Sequence, residues 1–193
     1  MDWNLPNSLT VFRIAIIPVL VVMYLFHGWA WREELLTGLF VLAAITDWLD
    51  GYFARKLNLS SPFGAFLDPV ADKLIVSTAL VLLVSDAIVL DRAFSATLFI
   101  ISVAVIIGRE IVISALREVM ADMGKRNQVA VDVTGKYKTA FQLIAISLLL
   151  YGKPLFGLPT FQMGEALLYL AVALTLWSMW VYLSAAAKSF EPE

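Results

Sequence analysis

The sequence predicts an all-α integral membrane protein with six transmembrane helices. Three observations carry this. The 193 residues are 61% hydrophobic and only 16% charged, where a soluble domain averages roughly 45–50% and about 25%. Two runs, 14–31 and 166–187, hold no formal charge and match the about 20 apolar residues that cross a bilayer. Four further apolar runs, 35–46, 74–90, 93–108 and 139–152, reach that length only by extending into charged residues.

Each element follows in order. The start, MDWNLPNSLTVFR, has no basic n-region and no small-residue cleavage site after the apolar run, so the first helix is expected to be retained. The second helix must run through Asp47 and Asp50. SPFG at 61–64 separates it from the third, and Asp68-Pro69 reads as an N-cap followed by proline at the first helical position. The third then begins near Asp68 and Asp72, the fourth continues past Arg109 and Glu110, and the fifth begins near Lys136 and Lys138. The sixth is the uncharged run 166–187, with KSFEPE (188–193) as a frayed tail. No repeat or low-complexity segment divides the chain, so residues 1–193 read as a single transmembrane domain.

Orientation follows from the basic residues. With the N-terminus in the cytoplasm, Arg13, Arg55, Lys56, Lys73, Arg109, Arg117, Lys125, Arg126, Lys136, Lys138 and Lys188 fall on the cytoplasmic side, and Arg32, Arg92 and Lys153 on the other. The polar ends of helices two to five then converge at the cytoplasmic face, which is where an active site is expected. The net charge of −2 supplies no basic field for nucleic acid. The absence of cysteine excludes disulfides, thiolate chemistry and Cys-based zinc sites.

The chemistry lies in 46–73, TDWLDGYFARKLNLSSPFGAFLDPVADK. Asp47 and Asp50 are three apart and share a helical stripe with Gly51, Ala54 and Arg55; Asp68 and Asp72 are four apart on the next helix. A helical hairpin sets the two pairs face to face. Four carboxylates in a low-dielectric setting raise one another's pKa, so protons or cations must compensate them. Hard divalent cations take oxygen ligands, and Mg²⁺ pairs carboxylates with substrate phosphates; two such ions can clamp both oxygens of a phosphoryl transfer. Small Gly51 and Ala54 leave room for a ligand to approach the backbone, or for another helix. Two other readings of the carboxylates stand beside this one. They could be surface aspartates paired with Arg55 and Lys73, or an ion pathway.

The pattern Asp47, Asp50, Gly51, Ala54, Arg55, Gly64, Asp68, Asp72 resembles, without a gap, the signature of the CDP-alcohol phosphatidyltransferases. NSLTVFR, GREIVISALRE (108–118), GKRNQVAVDVTGKYKTAFQ (124–142) and LTLWSMWVYLSAA (174–186) extend the likeness to bacterial members whose acceptor is glycerol 3-phosphate. The resemblance implies six transmembrane helices, a homodimer, and a multi-pass enzyme of the bacterial inner (cytoplasmic) membrane with its active site facing the cytoplasm. The donor it implies is CDP-diacylglycerol. The cofactors are two divalent cations, Mg²⁺ or Mn²⁺, held by Asp47, Asp50, Asp68 and Asp72, with Asp72 also the general base. Asn7, Thr10, Gly51, Ala54, Arg55, Ser61 and Gly64 would contact the donor. A sister enzyme using inositol phosphate, serine or phosphatidylglycerol is the nearest alternative, and a cation transporter a more remote one.

A phosphate-bearing acceptor demands cations, and arginine's planar fork suits phosphate oxygens. Arg109, within an otherwise apolar run, is the first candidate, then Lys136 and Lys138, then Arg13 and Arg117. The alternative for Arg109 is an ion pair with Glu110 or an aspartate. Lys125 and Arg126 read as positive-inside anchors. His27, the sole histidine, is expected at the far interface, and Trp29, Trp31, Trp177 and Trp180 fit aromatic belts or lipid-facing packing. Trp48, between two motif aspartates, points to another helix face.

Overall fold

A computed structural model describes residues 5–26, 28–57, 62–124 and 133–190; His27, Ser61, Lys125 and Arg126 lie outside them. Seven helices make up the described residues: α1 (Leu5–Leu25), α2 (Arg32–Leu57), α3 (Pro62–Ser85), α4 (Ala87–Arg92), α5 (Ala96–Asp122), α6 (Val133–Tyr151) and α7 (Thr160–Phe190). All but α4 are long. Among the described residues the only β-type pairing is an isolated bridge between Leu155 and Leu158.

Among the described residues, three helices are long and apolar enough to cross a membrane by length and composition, over Asn7–Leu25, Ala96–Asp122 and Thr160–Ser184. In each, only 28% of the most apolar window is buried inside the protein. The outward surface is therefore apolar as well: Trp177 and Trp180 are 67% and 70% exposed, and α5 turns Ile100, Ile101, Ile111 and Val112 outward. Such a surface needs lipid around it, so the protein is a membrane protein. Helices α2 and α3 carry the charged motif instead, and α6 offers a shorter apolar stretch over Lys138–Tyr151.

Three sequence expectations need correction. The first helix spans Leu5–Leu25 rather than 14–31. Its polar start is no obstacle, because Asn7, Thr10 and Arg13 are all buried against the bundle. Its end is fixed where Arg32 Nε donates to the Tyr24 carbonyl at 3.0 Å, satisfying one of the carbonyls a helix terminus leaves open. Second, Asp68 is not an N-cap. Helix α3 starts at Pro62 and runs through Pro69, which removes a single backbone hydrogen bond. The Asp68 carboxylate accepts from Thr10 on α1 instead of capping its own helix. Third, the apolar run 74–90 is interrupted at Asp86, whose side chain accepts from Ile88 N at 2.9 Å and starts α4.

The helices pack with α1 against α2 and α3, α6 against α7 and α2, and α5 against α7 and α3. One buried cluster joins them, with Leu20 of α1, Phe40 of α2, Leu80 of α3, Phe99 of α5, Ile146 of α6 and Phe161 of α7 at its centre. The α6–α7 contact is the tightest. A Cβ on Gly164 would lie 3.0 Å from both Leu148 Cβ and Leu149 Cγ and 3.1 Å from the Ala145 carbonyl oxygen. Small residues at such places let membrane helices approach closely.

The three basic residues assigned to the far side do gather at one end, where they line a shared cavity of about 140 Å³. Arg32 lies over the Tyr24 ring at 4.5 Å, and Arg92 donates to the Gly152 carbonyl at 2.6 Å. Lys153 Nζ donates to Glu34 at 2.9 Å and pairs with Glu33 at 3.1 Å. The hydrogen bonds to Glu34 and then Glu33 raise the Lys153 pKa. Ion pairs and helix-end hydrogen bonds tie the helices together at this end.

Candidate active site

At the opposite end α1, α2 and α3 bring the motif together. Asn7, Thr10 and Arg13 succeed one another at three-residue intervals on the buried face of α1. Arg13 is 1% exposed and reaches across to α2, where one terminal nitrogen donates to Asp47 Oδ1 and the other to Asp50 Oδ2. The second nitrogen also lies 3.8 Å from Asp68 Oδ1 on α3. Three of the four motif carboxylates thus surround one guanidinium. Asp72, one helical turn beyond Asp68, shares the lining of a cavity of about 50 Å³ with Arg13 and Asp47.

This arrangement fits a hard cation site in donor type and in convergence. The donors are carboxylate oxygens from two facing helices, and a cationic group already stands among them. Among the described residues, no three acidic or imidazole groups are arranged to hold a metal ion as they stand, because the oxygens close on the guanidinium. Arg13, expected at an acceptor phosphate, is placed against these carboxylates and is not among the residues that line a second, larger cavity.

That larger cavity, about 460 Å³, opens between α3, α5, α6 and α7. Asp72 and Lys73 line it from α3, Arg109, Glu110 and Arg117 from α5, Lys138 and Gln142 from α6, and Tyr182 from α7. Asp72 borders both cavities. Three of the predicted cations, Arg109, Lys138 and Arg117, meet here. Arg109 and Lys138 are 8% and 2% exposed, and buried charge is retained only with partners. Both find one in Glu110. A single oxygen, Oε1, accepts from Arg109 Nη1 and from Lys138 Nζ, each at 2.8 Å. The second Arg109 terminal nitrogen reaches Ser178 Oγ at a long 3.4 Å. The Arg109 Nε is buried with no partner among the described residues. Arg117 is held looser, its guanidinium carbon 5.8 Å from the centre of the Tyr182 ring.

The Arg109–Glu110 ion pair weighed from sequence is therefore present, in the same cavity as Lys138 and Asp72. Sequence reading did not place Glu110 in the site. The signal was available: two buried cations at a cavity wall require an anion near them. Gln142, Ser178 and Tyr182 went unremarked because no spacing rule marks them; only packing of α5, α6 and α7 brings them in. Of the predicted donor contacts, Thr10 hydrogen-bonds Asp68, and Asn7 and Gly64 are buried on α1 and α3. Gly51, Ala54 and Arg55 lie on α2 and Lys136 on α6, with side chains outside the described set; Ser61 lies outside altogether. Trp48 is 65% exposed, on the face away from its neighbouring aspartates.

The arrangement places a carboxylate, Asp72, between an acidic cluster suited to cations and a basic cavity suited to phosphate. Comparison with known proteins accords with it. The family model for CDP-alcohol phosphatidyltransferase matches residues 3–177. The chain is similar to the CDP-diacylglycerol–glycerol-3-phosphate 3-phosphatidyltransferase of Pseudomonas fluorescens, 48% identical over 95% of this chain and 90% of the relative. Its counterparts of that name in Salmonella typhimurium and Pectobacterium atrosepticum are 45% and 44% identical over 96% of each chain. The chain belongs to the CDP-alcohol phosphatidyltransferase family.

Proposed function

We propose that this protein transfers the phosphatidyl group of CDP-diacylglycerol to the 1-hydroxyl of sn-glycerol 3-phosphate, releasing CMP and phosphatidylglycerophosphate. The substrates are those named for its relatives. The observation that carries the reading is that Asp72 lines both the small cavity beside Arg13 and Asp47 and the large one beside Arg109 and Lys138. A base at that junction faces a donor pyrophosphate on one side and an acceptor phosphate on the other.

The acceptor enters the large cavity and its phosphate is held by Arg109, Lys138 and Arg117. Charge-assisted hydrogen bonds of this kind contribute about 1.5–3 kcal/mol each. Asp72 takes the proton of the 1-hydroxyl. That oxygen forms a bond to the phosphorus bearing diacylglycerol, and the bond from this phosphorus to the bridging oxygen breaks. CMP leaves with the electron pair. Asp47, Asp50, Asp68 and Asp72 would hold divalent cations, Mg²⁺ or Mn²⁺. Two such ions supply neutralisation of the pyrophosphate and of the departing CMP. Asn7 and Thr10 at the start of α1, with Gly51, Ala54, Arg55, Ser61 and Gly64, are assigned to the donor headgroup. Its acyl chains stay in lipid.

The same reading makes residues 1–193 one transmembrane domain. The six long helices span the bacterial inner membrane, the site faces the cytoplasm, and two copies associate as a homodimer. The separation of Arg13, Arg109, Arg117 and Lys138 at one end from Arg32, Arg92 and Lys153 at the other supports the orientation.

The test is CMP release from CDP-diacylglycerol by detergent-purified protein with Mg²⁺. Glycerol 3-phosphate, inositol phosphate and serine are offered in parallel. Release with glycerol 3-phosphate alone is expected. Release with another acceptor would overturn the acceptor assignment and keep the donor site. No release with any acceptor, from folded protein, would return the carboxylates to ion transport or to structure.

A further inference from the structure

The Glu110 carboxylate has a position that the reaction does not explain. It lines the basic cavity of about 460 Å³, and one of its oxygens takes a hydrogen bond from each of the two most buried cations there. Its own side chain is 25% exposed, more than that of either cation it pairs with. To such donors a carboxylate oxygen and a phosphate oxygen are equivalent acceptors. An anion oxygen that bridges Arg109 Nη1 and Lys138 Nζ therefore competes with Glu110 for that seat.

We propose that Glu110 is a specificity-determining residue for the acceptor: its carboxylate fills the seat between Arg109 and Lys138, so that only a phosphate monoester dianion displaces it. This rests on the reading that these two cations hold the acceptor phosphate. A monoanion that takes the seat merely exchanges one negative charge for another and gains nothing. A dianion adds a charge, facing Arg109, Lys138, Lys73 and Arg117, with Asp72 the opposing group across the cavity. It also brings three terminal oxygens. The buried Arg109 Nε, which has no partner among the described residues, is a donor available to one of them. Glu110 thus works as a built-in competitor. It lowers the apparent affinity for every anion by the cost of its own displacement, and only a ligand with surplus charge and surplus acceptors overcomes that cost. Phosphodiesters, including the headgroups of the surrounding lipids, and free carboxylates are turned away.

The test uses Glu110→Gln, which keeps the shape and removes the charge. Glu110→Asp keeps the charge and withdraws the oxygen by one methylene. Inorganic phosphate and dimethyl phosphate are titrated onto detergent-purified protein without donor lipid and followed by thermal shift, so the readout does not depend on turnover. Inorganic phosphate is expected to bind Glu110→Gln at least threefold more tightly than wild type. Dimethyl phosphate is expected to stabilise Glu110→Gln and leave wild type unmoved. Glu110→Asp is expected to fall between. In assays, KM for glycerol 3-phosphate should drop in Glu110→Gln by a larger factor than kcat changes. Unchanged or weaker phosphate binding in whichever variants fold, or dimethyl phosphate still excluded from Glu110→Gln, overturns the proposal and makes Glu110 a strut for Lys138. Phosphate binding that follows the expected order in a protein that releases no CMP would sink the assigned reaction and with it the acceptor role, leaving Glu110 as the competitor of an anion site only.

Discussion

The Arg13 guanidinium of α1 is hydrogen-bonded to the Asp50 carboxylate of α2, with the two side chains only 1% and 4% exposed. The same fork holds Asp47 and lies beside Asp68. One cation therefore balances a cluster of acids that α1, α2 and α3 would otherwise force together uncompensated.

Removing that cation should cost stability. Breaking a buried pair by deleting one partner typically costs about 3–5 kcal/mol, and the half-exposed Asp47 and Asp68 place Arg13→Met near the lower end. Thermal unfolding in detergent with EDTA should show the loss. Added Mg²⁺ should restore more stability to the variant than to wild type, because a divalent cation can take over the vacated charge. Equal Mg²⁺ responses in the two proteins would count against a cation site at these carboxylates.

Loss of either acceptor cation should act on binding. Lys138→Met and Arg109→Met each remove a charged donor worth about 1.5–3 kcal/mol, so KM for glycerol 3-phosphate should rise about 10- to 100-fold. The apparent affinity for CDP-diacylglycerol should stay within a few-fold. Steady-state kinetics varying each substrate separates the two. A matching rise for the donor would place these side chains elsewhere.

Asp72→Asn should lower kcat by about 10²- to 10⁴-fold, the usual contribution of a positioned general base. KM for the acceptor should change little, since the phosphate is held by other residues. A variant that retains more than a tenth of wild-type kcat would remove Asp72 from that role.

Gly164→Ala should destabilise the fold without touching the chemistry. The added methyl meets two leucine side-chain atoms at 3.0 Å and a carbonyl oxygen at 3.1 Å, an overpacking that costs about 1–3 kcal/mol. Heating in detergent would reveal a lowered Tm, while kcat at low temperature should match wild type. An unchanged Tm would mean that α6 and α7 move apart at no cost.

Much of this was legible in the sequence because membrane helices announce themselves by composition, and because the eight-residue pattern from Asp47 to Asp72 fixes which carboxylates face one another. The order of the long helices and the end at which Arg109, Arg117 and Lys138 collect follow from apolar runs and charge alone. The failures have one physical origin. Hydropathy reads a polar residue as exposed, yet Asn7, Thr10 and Arg13 are buried by partners on other helices, so α1 begins well before its uncharged run. Asp68 looked like a cap for the same reason: its partner, Thr10, is 58 residues away. Glu110 escaped because its role depends on Lys138, which only the packing of α5 and α6 against α7 reveals.

The central claim is that the acceptor hydroxyl attacks the phosphatidyl phosphorus, and isotope tracing tests it most directly. Glycerol 3-phosphate carrying ¹⁸O in its 1-hydroxyl is incubated with CDP-diacylglycerol, Mg²⁺ and the purified protein, and both products are weighed by mass spectrometry. The label is expected in phosphatidylglycerophosphate, with CMP unlabelled. Label in a cytidylyl–glycerol 3-phosphate diester, with phosphatidate released, would mean attack at the other phosphorus, and the absence of any labelled lipid would contradict the reaction assigned to this protein.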